Sequence, residues 1–219
     1  MMQDYMPSDK ELSLLNSIYP LEDSVLEKLS TYHRILVQWQ KKTNLVAPST
    51  LQFFWQRHVA DSLQILALYP KIKYWTDIGS GGGFPGLILA IILGHQYLEP
   101  DSCNVNLVES IQKKCVFLRK VANETNAVAK IHVKRIESAS KQFEEAEAVS
   151  ARALASLEKL LNLTEGHIIG PRFAAFHKGR DYQREIEECN GKWNFDLVVH
   201  KSKIDVESVI LEVRNAVRI

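Results

Sequence analysis

A chain of 219 residues, 46% hydrophobic and 24% charged, has an ordinary globular composition and is long enough to bury a sizeable core. Its formal charge of +1 carries no global basic signature, so any nucleic-acid contact has to rest on a local patch. Cys103, Cys115 and Cys189 are odd in number and follow no C-x-x-C or zinc-finger spacing, which excludes a disulfide framework and points to reduced thiols in a cytoplasmic protein.

The start, MMQDYMPSDK, is too acidic and polar for a signal peptide, and no apolar run reaches the length of a membrane span. A soluble protein with no membrane contact is expected. Val25, Leu26, Leu29, Tyr32, Leu36 and Trp39 recur at spacings of three and four, predicting an amphipathic helix over 23–39 that Asp23 caps. After the interruption KKTNLVAPST, the apolar face of Phe53, Phe54, Val59, Leu63, Ile65 and Leu66 predicts a second helix over 52–68, ending before Tyr69-Pro70. Residues 1–70 thus read as a helical N-terminal extension, forming one structural unit with a domain over 71–219.

From Tyr74 onward, short β-prone runs alternate with helical ones, the pattern of a parallel α/β sheet. Strands are expected near 73–78, 104–109, 130–134, 146–150 and 172–177, with helices near 86–94, 112–124, 155–165 and 181–189. The tail differs: WNFDLVVHK and SVILEVRNAV flank the polar turn KSKID and predict an antiparallel hairpin closing a mixed seven-stranded sheet.

The stretch DIGSGGGFPG, residues 77–86, holds five glycines and one proline between the first strand and an apolar helix, the arrangement of a nucleotide-binding loop. Gly81-Gly82-Gly83-Phe84-Pro85-Gly86 satisfies G-x-G-x-x-G, so a dinucleotide-dependent oxidoreductase using NAD is one reading. Asp77 would repel a pyrophosphate but suits a ligand bearing positive charge, and Pro85 removes an N–H donor where phosphate binding needs donors. S-adenosyl-L-methionine, with its sulfonium, its ammonium and no phosphate, meets both conditions. The glycines, Gly79, Gly81 and Gly83 among them, let a ligand approach the backbone. Glu109, closing the second strand, is placed to accept bonds from ribose hydroxyls. No G-K-[ST] follows, which excludes a P-loop.

DIGSGGGFPG followed by LVESIQKKCVFLRKV, RIE, SARALASL and FHKG, with RHVADSL and TNL upstream, resembles the glucose-inhibited division protein B family of bacterial rRNA methyltransferases. The resemblance covers roughly residues 39–180. It implies a class I, Rossmann-like methyltransferase fold, S-adenosyl-L-methionine as cofactor, and guanine N7 in the 530 loop of 16S ribosomal RNA, or of the small ribosomal subunit, as acceptor. It also implies cofactor contacts at Gly79, Phe84, Ile136, Glu137 and Arg152. Gln40 departs from the asparagine that usually follows the tryptophan, and GHQYLEPDSCN lengthens one connection.

Guanine N7 carries an in-plane lone pair, so the expected catalysis is positioning, without a general acid or base. His58 and Asp61, three apart on one helix face, fit hydrogen bonds that tie their helix to the main domain better than direct contact with RNA. The seven histidines form no metal-ligand spacing, so no metal is expected. Lys178 and Arg180 follow the fifth strand, where loops border the ligand crevice, and with Arg57 they are the candidate RNA contacts. A monomer is expected. A noncatalytic RNA-binding module retaining the pocket is the remaining alternative.

Overall fold

The computed structural model describes residues 5–99 and 101–219. The polar start read above as no leader therefore falls partly outside the described residues, as does Pro100 in the lengthened connection. Helix α1 (Asp9–Ile18) was not anticipated, although its start carries a local signal. The Glu11 amide donates to Ser8 Oγ at 3.4 Å, and the Ser8 amide donates back to Glu11 Oε2 at 2.9 Å, a reciprocal capping box. Helix α2 (Asp23–Gln40) matches its apolar stripe, but Glu22 holds the cap position and makes no side-chain capping bond. Asp23 lies in the first turn, where its charge meets the helix dipole.

The single helix expected over 52–68 is instead a 3₁₀ turn (Pro48–Phe53), a π-helical turn (Phe54–Val59) and α3 (Ala60–Leu68). Consecutive Phe53, Phe54 and Trp55 are too broad a face for one α-helical stripe. The wider register buries both Phe54 and Trp55 and leaves Phe53 at the surface, and such turns recur at functional sites.

The strands are β1 (Tyr74–Ile78), β2 (Asn104–Glu109), β3 (Ala129–Val133), β4 (Ala148–Arg152), β5 (Phe173–Lys178), β6 (Trp193–Lys201) and β7 (Val209–Arg218). They form one seven-stranded sheet in the order β3-β2-β1-β4-β5-β7-β6. The first five run parallel, and β7 pairs antiparallel with β5 and β6, as the tail pattern predicts. Crossovers are made by α4 (Gly86–Gln96), α5 (Gln112–Thr125), the short α6 (Ser140–Glu144), α7 (Leu157–Thr164) and α8 (Tyr182–Glu187). Helix α4 is buried from Gly86 to Leu93 because the sheet covers one side and the N-terminal helices the other. One apolar cluster accordingly runs from Leu15, Leu29 and Leu36 through Ile88 to Val105 and Phe117, while a second on the opposite face joins Ile78, Phe143, Leu161 and Phe176.

Strand order reverses between β1 and β4, opening a crevice beyond their C-terminal ends where α/β sheets bind ligands. Among the described residues no helix is long and apolar enough to cross a membrane.

Candidate active site

The glycine loop leaves β1 under tight local control. Its Gly79 amide donates to Val108 O at 2.9 Å, and Ser80 Oγ donates to Asp77 O at 2.9 Å. Gly81 has φ +53°, and a Cβ there would meet only Gly79 O, at 3.7 Å. This position combines a left-handed backbone with open space. Gly83 was grouped with the ligand contacts, but it does not line the cavity. A Cβ on Gly83 would stand 2.5 Å from Leu87 Cδ1 and 2.7 Å from the Tyr32 hydroxyl, so its glycine serves packing beneath the loop.

Asp77 does not line the cavity either. The carboxylate expected beside the ligand is fully buried, with Oδ1 accepting from Ser150 Oγ at 2.8 Å. Register explains this: Asp77 lies opposite Ser150 on adjacent strands. Burial raises its pKa to about 6, against the opposing effect of bonds from Ser150 and Ser80. Asp77 thus supports the loop from below and does not face the crevice.

Glu109 closes β2 and lines the cavity. Its Oε2 accepts from the Gly81 amide at 3.0 Å and its Oε1 from the Ile111 amide at 2.8 Å. The Gly81 amide is therefore already engaged by a carboxylate, which disfavours a pyrophosphate in that position.

The cavity encloses about 940 Å³, and its walls include Gly79, Gly81, Phe84, Glu109, Ile136, Glu137 and Arg152. Thr50, Arg57, His58 and Asp61 of the extension form one side, and Ile204 and Asp205 of the β6–β7 turn another. No group of three or more metal-ligating side chains occurs among the described residues.

Arg152, ending β4, is the hub of this cavity. Its Nη1 donates to Arg57 O at 2.9 Å and to Asp61 Oδ2 at 3.2 Å, its Nη2 lies 2.7 Å from His58 Nδ1, and its guanidinium sits 4.9 Å above the Phe84 ring. An arginine can only donate, so His58 Nδ1 is the acceptor and the proton resides on Nε2, which is 3.1 Å from Thr50 Oγ1. Burial, reinforced by the Arg152 charge and partly offset by Asp61, lowers the His58 pKa to about 3. His177 Nε2 lies 3.1 Å from the Asp61 carbonyl. The extension is thus tied to the sheet through His58 and Asp61, as their spacing suggested. The partners were not readable, because Arg152 lies far along the chain. Tyr32, which donates to Gly82 O and stacks on Phe84 at 5.2 Å, was read only as a core position, although it supports the loop.

This network has a pH signature. The folded state holds His58 neutral well below its ordinary pKa of 6.5, so the unfolded chain binds the extra proton between about 6.5 and about 3. The His58 contribution to stability is full above pH 6.5 and is lost as the pH falls below it. In His58→Gln, whose amide can both accept from Arg152 and donate to Thr50, Tm is expected to fall less steeply than in wild type between pH 6.5 and 4.5. Parallel thermal melts across that range check it, and identical slopes would contradict it.

The RNA candidates are placed unequally. Arg57 lines the cavity, half-exposed, and pairs with Asp205 at 3.2 Å. Arg180 is exposed but outside the cavity wall. Lys178 contradicts its assignment: its side chain is 7% exposed, paired with Glu185, and donates to Ala155 O at 2.8 Å. Lys178 and Glu185 both border the cavity at the end of β5, but the charge of Lys178 is already engaged by Glu185 and Ala155 O, which leaves it poorly placed for a phosphate.

Comparison with known proteins agrees with this architecture. A family model described as rRNA small subunit methyltransferase G (GidB) matches residues 25–211. A protein of Rhizobium leguminosarum bv. trifolii named ribosomal RNA small subunit methyltransferase G is 47% identical over 88% of this chain and 93% of its own length. One of Brucella anthropi with the same name is 43% identical over 96% of this chain and 97% of its own. Among solved structures, a mutant of MtNAS in complex with S-adenosylmethionine superposes with a TM-score of 0.57 at 13% identity, covering 87% of this chain and 77% of that one. At that identity the likeness is one of fold.

Proposed function

The chain belongs to the rRNA small subunit methyltransferase G family, and on that premise we propose that it methylates N7 of a guanine in the 530 loop of 16S ribosomal RNA. It is an S-adenosylmethionine-dependent rRNA methyltransferase with the class I, Rossmann-like fold. Family membership supports the guanine acceptor, and the observation that carries the donor site is the cavity at the β1/β4 switch point, where open space over Gly81 adjoins the Glu109 carboxylate.

The cavity fits the donor. Glu109 retains lone pairs for ribose hydroxyls, Ile111 and Ile136 offer apolar surface for an adenine, and Glu137 adjoins them. Gly79, Gly81 and Phe84 border the space for the methionine portion, with Arg152 over the Phe84 ring. The donor supplies an electrophilic methyl group on a cationic sulfonium. The chain's own task is to exclude water and hold the guanine so that N7, methyl carbon and sulfur lie in line. N7 has no proton to lose. This agrees with cavity histidines that are held neutral, His58 by burial and the Arg152 charge and His177 by burial.

The extension over 1–70 acts as one unit with the 71–219 domain, supported by the apolar core they share. The enzyme acts as a cytoplasmic monomer on the small subunit or its RNA, with Arg57 and Arg180 as phosphate contacts. Incubation with labelled donor and undermethylated small subunits, or RNA extracted from them, is expected to label 16S RNA at one methyl per molecule. Label confined to protein or to another RNA would overturn the substrate assignment.

A further inference from the structure

Resting on the methyltransferase reading, we infer that Lys178 and Glu185 are positioning residues that lock the segment from Arg152 to Leu157 against the glycine loop. The Lys178 and Glu185 side chains are 7% and 17% exposed and form an ion pair. Lys178 Nζ also donates to Ala155 O at 2.8 Å, while Glu185 Oε2 accepts from the Leu157 amide at 2.6 Å. One pair therefore holds a carbonyl and an amide two residues apart on the same segment.

Leu157 opens α7, and Ser156 at the cap position makes no side-chain capping bond. The first amides of a helix need an outside acceptor. Here the acceptor comes from a different helix, so the start of α7 is fixed by α8 and β5 instead of by its own cap. Just ahead of these anchors Ala153 takes a left-handed backbone, φ +52°, and Leu154 presses on the glycine loop so closely that a Cβ on Gly79 would stand 2.4 Å from Leu154 Cδ1. Arg152, Ala153 and Leu154 line the cavity. The lock thereby sets the wall between the donor cradle and the side from which an acceptor base enters. Buried ion pairs are seldom retained for net stability, since apolar replacements of similar volume often equal them. A positional task accounts for this one.

The test uses the full chain and compares wild type with Lys178→Met, Glu185→Gln and the double variant Lys178→Met/Glu185→Met. The double variant leaves no unpaired buried charge and is expected to fold. Three readouts are taken: hydrogen-exchange protection over 153–157, kcat and KM on undermethylated 16S RNA at saturating donor, and the slope of log RNA affinity against log salt. Protection is expected to fall at least about tenfold in all three variants, with kcat reduced about tenfold to a hundredfold, because small displacements near reacting atoms cost that much. KM and the salt slope are expected to stay at wild-type values. A folded double variant with wild-type protection and kcat would overturn the inference. So would a salt slope flattened by about one unit with protection intact, which would return Lys178 to phosphate binding. If wild type transfers no methyl group to RNA, the functional reading fails, and the exchange measurement still decides the lock.

Discussion

Gly81→Val is expected to abolish donor binding while leaving the protein folded. The φ of +53° at Gly81 lies in the left-handed region, where a β-branched residue is a true outlier. The strain costs about 1–2 kcal/mol, a loss the shared core can absorb. The valine side chain has no room problem of its own, since nothing but Gly79 O lies within 4 Å of the Cβ position. It instead occupies the space proposed for the donor, beside the amide that Glu109 accepts from. Calorimetric titration with S-adenosylhomocysteine should show affinity reduced at least about a hundredfold, as expected when a backbone approach is filled. Tm should fall by only about 2–8 °C. Wild-type affinity in the variant would remove Gly81 from the donor site.

The second large effect is expected at Arg152. Truncation to alanine leaves His58 Nδ1 without its donor and Asp61 without its cation, in a cluster where the Arg152 and Asp61 side chains are 15% and 19% exposed. Leaving one partner of such a mostly buried pair uncompensated costs about 3 kcal/mol, so Arg152→Ala should lower both Tm and methyl transfer. Transfer should drop at least about a hundredfold, because the same guanidinium lines the cavity over Phe84. Arg152→Lys separates the two effects. A lysine keeps the charge for Asp61 but not the planar fork that reaches Arg57 O and His58 together. It is expected to recover most of the stability and little of the activity. Recovery of both would reduce Arg152 to a structural tie.

Strand limits were legible where an apolar run met polar neighbours, as at Asn104–Glu109 and Trp193–Lys201. Helix α1 was legible in principle through Ser8 and Glu11, but its moderate apolar content hid it. The π-helical turn was not legible, because Phe53, Phe54 and Trp55 fit an ordinary helix locally and only burial against the core selects the wider register. In the site, Glu109 was readable because it is a carboxylate at the C-terminal edge of the strand next to the glycine loop, the edge at which α/β sheets bind ligands. Asp77 was misread because nearness to the loop in sequence does not say which face of β1 it occupies. Facing Ser150 sealed it. Lys178 was misread for a related reason: its partners Glu185 and Ala155 lie in other elements, and exposure cannot be judged until those elements are placed.

The central claim concerns one atom of one base. Wild-type enzyme is incubated with labelled S-adenosylmethionine and undermethylated small subunits, and the 16S RNA is then cleaved chemically at N7-methylated guanines and mapped by primer extension. The account predicts a single new cleavage, at a guanine of the 530 loop, that appears in proportion to the label incorporated. Label incorporated without that cleavage, or cleavage at a guanine elsewhere in the RNA, would contradict it.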